Sequence, residues 1–273
     1  MNELNINEKS GTKFINFNHN KLSDWRDTIS SYAQEYGNLY LVSDTETTDV
    51  NLFDPVSGKL NRVLEWGICF CYKDENGYLN VCKDSSGEII GIDEPINPFI
   101  SDIKVRGKVS VTEPHPESIP IHGLTLEYLF GEGESPNKRT RLPITGAPTF
   151  EVVFDLFREL VDVPPLKYGQ VTMTSVFHNS PFDMRFLNSE CSCAKLPPPE
   201  SFFNVLDTKA LAEATIIKKD IGSYTLDSIY EYGKKNYPDL ITDIERPYHS
   251  AMVDSLILVQ VYNIIQRAWL ESI

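Results

Sequence analysis

Acidic side chains and one histidine of this chain occur in three short segments that lie far apart in the sequence. Asp44 and Glu46 are in the first segment, Asp183 is in the second, and His249 and Asp254 are in the third. Carboxylates that converge from such distances are typical of a site for divalent cations, because close like charges need compensation. Oxygen ligands without sulfur favour Mg²⁺ or Mn²⁺ over zinc.

The first segment follows a short apolar run at 38–43, which predicts a strand that is buried on both faces. Asp44 and Glu46 stand at its carboxyl end, and side chains two residues apart on a strand point to the same side. Both carboxylates can therefore address one ion. A solvated strand end with two incidental acids is the alternative for any single D-x-E.

The second segment predicts a strand that ends at His178 and Asn179, followed by a helix. Ser180 suits the N-cap and Pro181 the first helical position, which puts Asp183 third in the helix. The alternative is that S-x-x-D is a capping box, whose acid only binds a free amide of the helix start. Ligands of open α/β sheets collect at such strand ends.

The third segment opens a strongly apolar helix predicted at 250–270. Five residues on an α-helix rotate a side chain by about 500°, so His249 and Asp254 would diverge if both were helical. His249 is therefore expected to precede the helix. Asp254 is costly to bury unpaired, and a metal ion would remove that cost. The alternative for His249 is a turn histidine or a helix cap.

The order D-x-E, H-N-x-x-F-D and H-x-A-x-x-D resembles the DEDDh exonucleases, a ribonuclease H-like group that includes the proofreading subunit of bacterial replicative polymerases. The resemblance covers roughly residues 38 to 265. It implies two divalent ions, Mg²⁺ or Mn²⁺, and a histidine as general base. The implied metal ligands are Asp44, Glu46, Asp183 and Asp254, and the implied catalytic set adds His249 to them.

Candidate substrate contacts are Thr47, His122, Asn179 and Phe182. His122 matches an H-G-I-T segment that borders the nucleotide pocket in this family, although a helix-entry turn capped by Thr125 explains it equally well. Aromatic rings such as Phe182 can stack on bases. The chain departs from the family at Asp49, where many relatives have Gly, and this leaves the contacts to the terminal base open.

The implied reaction is hydrolysis of the terminal phosphodiester at a 3′ end of single-stranded DNA or RNA, which releases nucleoside 5′-monophosphates. Two ions about 4 Å apart can activate the attacking water and stabilise the leaving oxygen. His249, with an ordinary pKa near 6.5, can accept the proton of the water. A proofreading subunit and a non-catalytic nucleic-acid-binding module are the alternatives. The end of the chain at Ile273, directly after the last helix, disfavours the polymerase subunit.

Bulk composition limits the remaining possibilities. The chain has 273 residues, of which 41% are hydrophobic, and it lacks an apolar run of the roughly 20 residues that a membrane span needs. We expect a cytoplasmic protein with no membrane partner. Five cysteines do not suggest a disulfide framework, and Cys69 and Cys71 are expected to be core or sheet-face residues. The net charge of −14 requires a local grip on nucleic acid, with basic patches at 104–108, 138–141 and 218–219 as candidates.

The predicted fold is α/β: a ribonuclease H-like, mixed five-stranded sheet with three antiparallel strands first, flanked by helices. Residues 1–37 are predicted as a helical extension packed on an exonuclease domain at 38–273, with insertions near 74–118 and 131–146. Alternation at 104–111 predicts a hairpin arm, which would guide a strand, bind a protein partner or cap the sheet. The oligomeric state is not indicated. Strands are predicted at 38–45, 62–73, 77–83, 172–178 and 203–207, and helices at 149–162, 181–189, 208–216, 225–235 and 250–270.

Overall fold

The computed structural model describes residues 19–98, 113–139, 142, 146–199, 204–216, 218–246 and 249–272. The predicted hairpin arm at 104–111 lies outside the described residues. So do the basic patch at 104–108, Arg141, and the side chains of Lys218 and Lys219.

Six strands and a set of helices make up the described part of the chain. The strands are β1 (Leu39–Thr47), β2 (Val63–Lys73), β3 (Leu79–Val81), β4 (Gly91–Pro95), β5 (Met173–Phe177) and β6 (Val205–Asp207). The helices are α1 (His19–Tyr36), α2 (Ile119–His122), α3 (Leu126–Leu129), α4 (Phe150–Val161), α5 (Pro164–Lys167), α6 (Ser180–Ala194), α7 (Thr208–Thr215), α8 (Lys218–Ile221), α9 (Leu226–Asn236) and α10 (Ala251–Ser272), with a 3₁₀ turn at Pro238–Leu240.

The strands form one mixed sheet in the order β3-β2-β1-β5-β6. β2 runs antiparallel to β1 and β3, whereas β1, β5 and β6 run parallel. This arrangement confirms the predicted α/β architecture with antiparallel strands first and parallel strands after them. The connections from β1 to β5 and from β5 to β6 pass through helices, as parallel strands require.

The predicted number of five strands is wrong, because β4 also pairs with β2. β3 pairs with residues 71–73 of β2, and β4 continues along the same edge at 65–69. The chain between them leaves the edge in a small hairpin closed by a bridge between Lys83 and Ile89. The outer edge of the sheet beside β2 is thus formed by two strands, β3 and β4, one after the other. Asp93, Glu94 and Pro95 are poor strand formers, which explains why the sequence pattern did not reveal β4.

Helices cover both faces of the sheet and enclose two large cores, beside a smaller apolar cluster that includes Leu64 and Leu129. One core lies under α1, α4 and α6, and includes Trp66, Phe154 and Phe186. The other lies under α7, α9 and α10, and includes Val42 and Ile257. β1 and β2 contribute to both cores, so they are buried on both faces, which the apolar run at 38–43 predicted for β1.

The first turn of α10 approaches β2 very closely at Gly67. A Cβ atom on Gly67 would lie 2.1 Å from the carbonyl carbon of Ala251, so only glycine fits there. The hydroxyl of Ser255 donates to the carbonyl oxygens of Gly67, at 3.2 Å, and of Ala251, at 2.7 Å. This contact fixes the start of α10 against the sheet at the level of the acidic residues.

All five cysteines are free thiols, and Cys69 and Cys71 are fully buried, as predicted. No helix in the described ranges has the length and apolarity that crossing a bilayer would take. The division into a 1–37 extension and a 38–273 domain stays a prediction.

Candidate active site

β1 presents the first two carboxylates at the carboxyl end of its buried run. Asp44 and Glu46 are partly buried, while Thr45 between them points the other way and is buried. The register with β2 shifts directly after Glu46. Thr47 follows this bulge, and its hydroxyl donates to the carbonyl oxygen of Asp49 at 2.8 Å. The structure therefore gives Thr47 a partner in the turn, and its substrate contact stays a prediction.

Asp183 of α6 meets β1 directly. Its Oδ1 atom accepts hydrogen bonds from the amide of Thr45 at 3.1 Å and from the hydroxyl of Thr45 at 2.8 Å. The side chain is 2% exposed. Thr45 thus draws the carboxylate of the second segment to the strand that carries Asp44 and Glu46. Thr45 was not among the residues predicted from the sequence, where its signal was its position inside D-T-E.

The capping of α6 differs from the prediction. Asn179, at a φ angle of 63°, is the N-cap residue, so the assignments of Ser180 as N-cap and Pro181 as first helical residue are each wrong by one position. The amides of Asn179 and Ser180 both donate at 3.0 Å to the carboxylate of Asp207. Asp207 therefore performs the role that the capping-box alternative gave to Asp183.

The third segment brings His249 and Asp254 to the same place. α10 begins at Ala251, so His249 precedes the helix as predicted. The Nδ1 atom of His249 lies 3.1 Å from Oδ2 of Asp254, which is 4% exposed. One potential ligand atom each from Glu46, His249 and Asp254 lies within 4.8 Å of the others.

Charge repulsion couples the four predicted carboxylates, of which Glu46 and Asp254 supply atoms to the group of potential ligands above. Burial raises the pKa of Asp44 well above its usual value, and Asp183, Glu46 and Asp254 raise it further by repulsion. Burial also raises the pKa of Glu46, and the negative charges of Glu65 and Asp254 raise it further. The pKa of Asp183 rises to about 7, mainly because the carboxyl group is desolvated. Arg139 and Arg246 offset only part of this repulsion, and clustered oxygen donors of this kind fit a divalent cation.

Two arginines that the sequence analysis did not assign to the site lie against these acids. Arg246 pairs with Asp254 through Nε at 2.7 Å and NH2 at 2.8 Å, and with Asp227 through NH1 at 2.5 Å. Its NH2 is also 2.8 Å from Nδ1 of His249. The guanidinium therefore supplies part of the positive charge that Asp254 needs. Its signal in the sequence was its place three residues before His249.

Arg139 is the second arginine, and it forms an ion pair with Glu65 in which the side chains are 6% and 2% exposed. The interpretation of Arg139 as part of a basic patch for substrate is therefore wrong, because its charge is buried and committed to Glu65. Glu65 is the cross-strand partner of Glu46.

Three predicted substrate contacts occupy different environments. His122 is 2% exposed; its Nδ1 accepts from the amide of Leu124 at 3.0 Å, and its Nε2 has no hydrogen-bond partner among the described residues. Burial first, and then Arg139 and His249, lower the pKa of His122 to about 4, so its ring is neutral at pH 7. Thr125 caps α3 by accepting from the amide of Tyr128 at 3.2 Å, as the alternative for this segment expected.

Asn179 is exposed at the start of α6, and Phe182 is partly buried beside Phe186, with ring centroids 5.2 Å apart. Both stay predictions as substrate contacts. His178, the other residue at this strand end, has its ring nitrogens within 3.0 Å of the Thr208 hydroxyl and 2.9 Å of the Tyr224 carbonyl oxygen. His178 therefore links the end of β5 to the start of α7 and to the segment before α9.

No family model matches the chain. The DNA polymerase III subunit epsilon of Escherichia coli K12 is 28% identical over 149 residues, which are 54% of this chain and 48% of that protein. The subunit of the same name from Rickettsia conorii is 24% identical over 176 residues, 63% of this chain and 62% of that one. The chain thus spans about half the length of the first of these curated relatives.

Solved structures with a similar fold include the nuclease domain of 3′hExo, a DEDDh family member bound to rAMP. The TM-score is 0.51 at 14% identity, over 83% of this chain and 90% of that chain. A 3′-exonuclease that recognises the histone mRNA stem-loop gives the same TM-score and identity, over 85% of this chain and 65% of that chain. The fold is that of the ribonuclease H-like exonucleases. The sequence similarity to the epsilon subunits and the fold together make the chain similar to the DEDDh 3′–5′ exonucleases.

Proposed function

We propose that this protein is a metal-dependent 3′–5′ exonuclease that removes nucleoside 5′-monophosphates from the 3′ end of single-stranded DNA or RNA. The observation that carries the proposal is the meeting of three remote segments: Asp183 is bound to Thr45 of β1, and His249 and Asp254 lie beside Glu46. The sequence similarity to epsilon subunits and the fold of the solved exonucleases support it.

Mg²⁺ or Mn²⁺, two ions per site, would be held by the carboxylates of Asp44, Glu46, Asp183 and Asp254. When bound, such ions lower the pKa of an attacking water and stabilise the leaving 3′ oxygen. His249, whose side chain is 42% exposed, is accessible to accept the proton of that water. Thr45 donates two hydrogen bonds to Oδ1 of Asp183, which hold this carboxylate against β1.

A proofreading subunit is the second candidate, and the relatives named as DNA polymerase III subunit epsilon favour it. This role would require a protein partner, for which the insertion arm is a candidate surface. The two candidates differ in substrate, because a proofreading enzyme removes a mismatched primer end faster than a paired one. A cytoplasmic location is part of the proposal.

The test is digestion of end-labelled single-stranded DNA and RNA with Mn²⁺ and, in parallel, with EDTA. With a 5′ label, we expect a ladder that shortens from the 3′ end and disappears in EDTA. Asp44→Asn is expected to abolish the ladder while the protein stays folded, because it removes one negative ligand. Asp155→Asn is the matched control, since Asp155 is exposed on α4 and pairs only with Arg158 among the described residues.

Full activity of Asp44→Asn, or cleavage at internal positions, would contradict the proposal. Binding of the oligonucleotide without shortening would favour a non-catalytic binding module. A primer–template with a mismatched terminus, compared with a paired one, separates the proofreading role from general degradation.

A further inference from the structure

We infer that Arg139, which lies in the 131–146 segment, is a positioning residue for His249. The inference rests on the proposed function, in which His249 is the general base. All three nitrogens of the Arg139 guanidinium donate to groups in distant segments. Nε donates to the carbonyl oxygen of His122 at 2.5 Å, NH1 to Glu65 at 2.5 Å, and NH2 to the carbonyl oxygen of His249 at 2.6 Å.

These bonds place the backbone of His249 between two fixed elements. The amide of His249 donates to the carbonyl oxygen of Ile121 in α2 at 3.1 Å, while its carbonyl oxygen accepts from Arg139. Both backbone polar groups of the residue are therefore occupied by partners outside its own segment. The direction in which the imidazole leaves the backbone is set by these two bonds.

Glu65 extends the same arrangement to the start of α10. Its Oε2 atom accepts from the amide of Ala251 at 2.9 Å and from NH2 of Arg139 at 3.1 Å. A carboxylate at this place satisfies one of the free amides of the helix start and is favoured by the helix dipole. Arg139 and Glu65 together thus hold the residues on both sides of Ser250, which fixes His249 relative to Asp254.

The segment that carries Arg139 is itself fixed to α2. The side-chain amide of Asn137 donates to the carbonyl oxygens of Pro120 and Ile121, both at 3.1 Å, and the hydroxyl of Ser135 donates to Gly123 at 2.7 Å. Arg139 therefore projects from a fixed base. A planar guanidinium can satisfy three acceptors at once, whereas the single ammonium of a lysine cannot keep this geometry.

A contact between Arg139 and a substrate phosphate is disfavoured by the same observations. The side chain is 6% exposed, and its donors are directed at protein oxygens. Its charge also offsets that of Glu65 beside Glu46, and this limits the rise in the pKa of Glu46. Arg139 thus acts on the site through the groups that it holds.

The first test is a double-mutant cycle between Arg139→Lys and His249→Ala, measured as kcat and KM on a single-stranded oligonucleotide with Mn²⁺. Arg139→Lys is expected to lower kcat about 10- to 100-fold, because small displacements of a catalytic group are costly, with KM changed less than about twofold. In the His249→Ala background, Arg139→Lys should lower kcat by less than about a further twofold, because the general base that Arg139 positions is already absent. Arg158→Lys, an exposed arginine paired with Asp155, is the matched control and should change nothing.

The inference would be overturned if kcat of the double variant fell by the product of the two single losses, because Arg139 would then act independently of His249. An unchanged kcat in folded Arg139→Lys would overturn it as well. If Arg139→Lys does not fold, the cycle is run with Arg139→Met combined with Glu65→Gln, which leaves neither buried charge unpaired. Failure of both variants to fold would assign Arg139 to stability alone.

The second test does not depend on activity, and so distinguishes this inference from the proposed function. Long-range ¹H–¹⁵N spectra report the imidazole groups of the five histidines, and His249→Ala identifies the His249 signals. Arg139→Lys is expected to shift these signals while those of His178, held by Thr208 and Tyr224, stay in place. Unchanged His249 signals would overturn the inference, whereas shifted signals in an inactive wild-type protein would refute only the proposed function.

Discussion

Asp183→Asn is expected to stabilise the metal-free protein at neutral pH, although it removes a proposed metal ligand. Burial raises the pKa of Asp183 to about 7, from 3.8 for an unperturbed group. Below about pH 4, both the folded and the unfolded chain carry the proton. As the pH rises from 4 to 7, the unfolded chain releases the proton while the folded chain keeps it, so the free energy of unfolding falls.

The size of this loss follows from the two pKa values. Each pH unit between them costs about 1.4 kcal/mol, so the interval from 3.8 to about 7 corresponds to about 4 kcal/mol above pH 7. The carboxyl group is 2% exposed, so solvent screens little of this cost. Asparagine keeps an oxygen that can accept from the amide and hydroxyl of Thr45 and cannot ionise. The variant should therefore lack most of this pH dependence.

Urea unfolding in EDTA, from pH 4 to pH 8, measures the effect. Over this range, we expect the free energy of unfolding of the wild-type protein to fall by up to about 4 kcal/mol relative to that of Asp183→Asn. Most of this difference should be present by pH 7. Mn²⁺ should reverse the order, because the wild-type site gains more from the ion. Asp155→Asn, which alters an exposed carboxylate, is the control and should follow the wild-type curve. Parallel curves for the wild type and Asp183→Asn would refute the reasoning.

Three further substitutions test other contacts of the site. Gly67→Ala is expected to cost at least about 3 kcal/mol in urea unfolding, because its Cβ would overlap the backbone of Ala251; an unchanged midpoint would contradict this. Asp207→Ala should lower the free energy of unfolding by about 2 to 3 kcal/mol and also lower kcat, because two amides at the start of α6 lose their acceptor. Unchanged stability and kcat would contradict this prediction. Arg246→Gln should lower the Kd for Mn²⁺ about tenfold in calorimetric titration, because the ion no longer competes with a guanidinium for Asp254; weaker binding would contradict it.

Local patterns in the sequence were sufficient for the parts of the site that depend on neighbouring residues. The alternation along β1 placed Asp44 and Glu46 on one side, and the rotation of an α-helix placed His249 before α10. The mixed sheet that begins with antiparallel strands followed from the resemblance. These features need only the geometry of one element at a time.

The parts that were missed depend on which distant segments meet. The acceptor at the start of α6 is Asp207, which reaches it only because β6 lies beside β5. Arg139 looked like a surface cation in a segment rich in charge, and its burial depends on the position of Glu65. Local spacing does not encode such pairings. β4 was missed for a related reason, since its pairing with β2 outweighs its weak strand propensity.

The division of one sheet edge between β3 and β4 has a consequence for the behaviour of the protein at high concentration. Within the described residues, the outer strands are three residues long for β3 and β6 and five for β4. Along these described edges, a neighbouring molecule would find no long row of free backbone groups on which to add a strand, because the hairpin at 83–89 interrupts the row on one side. The hairpin that separates β3 from β4 therefore also disfavours self-association by pairing of sheet edges.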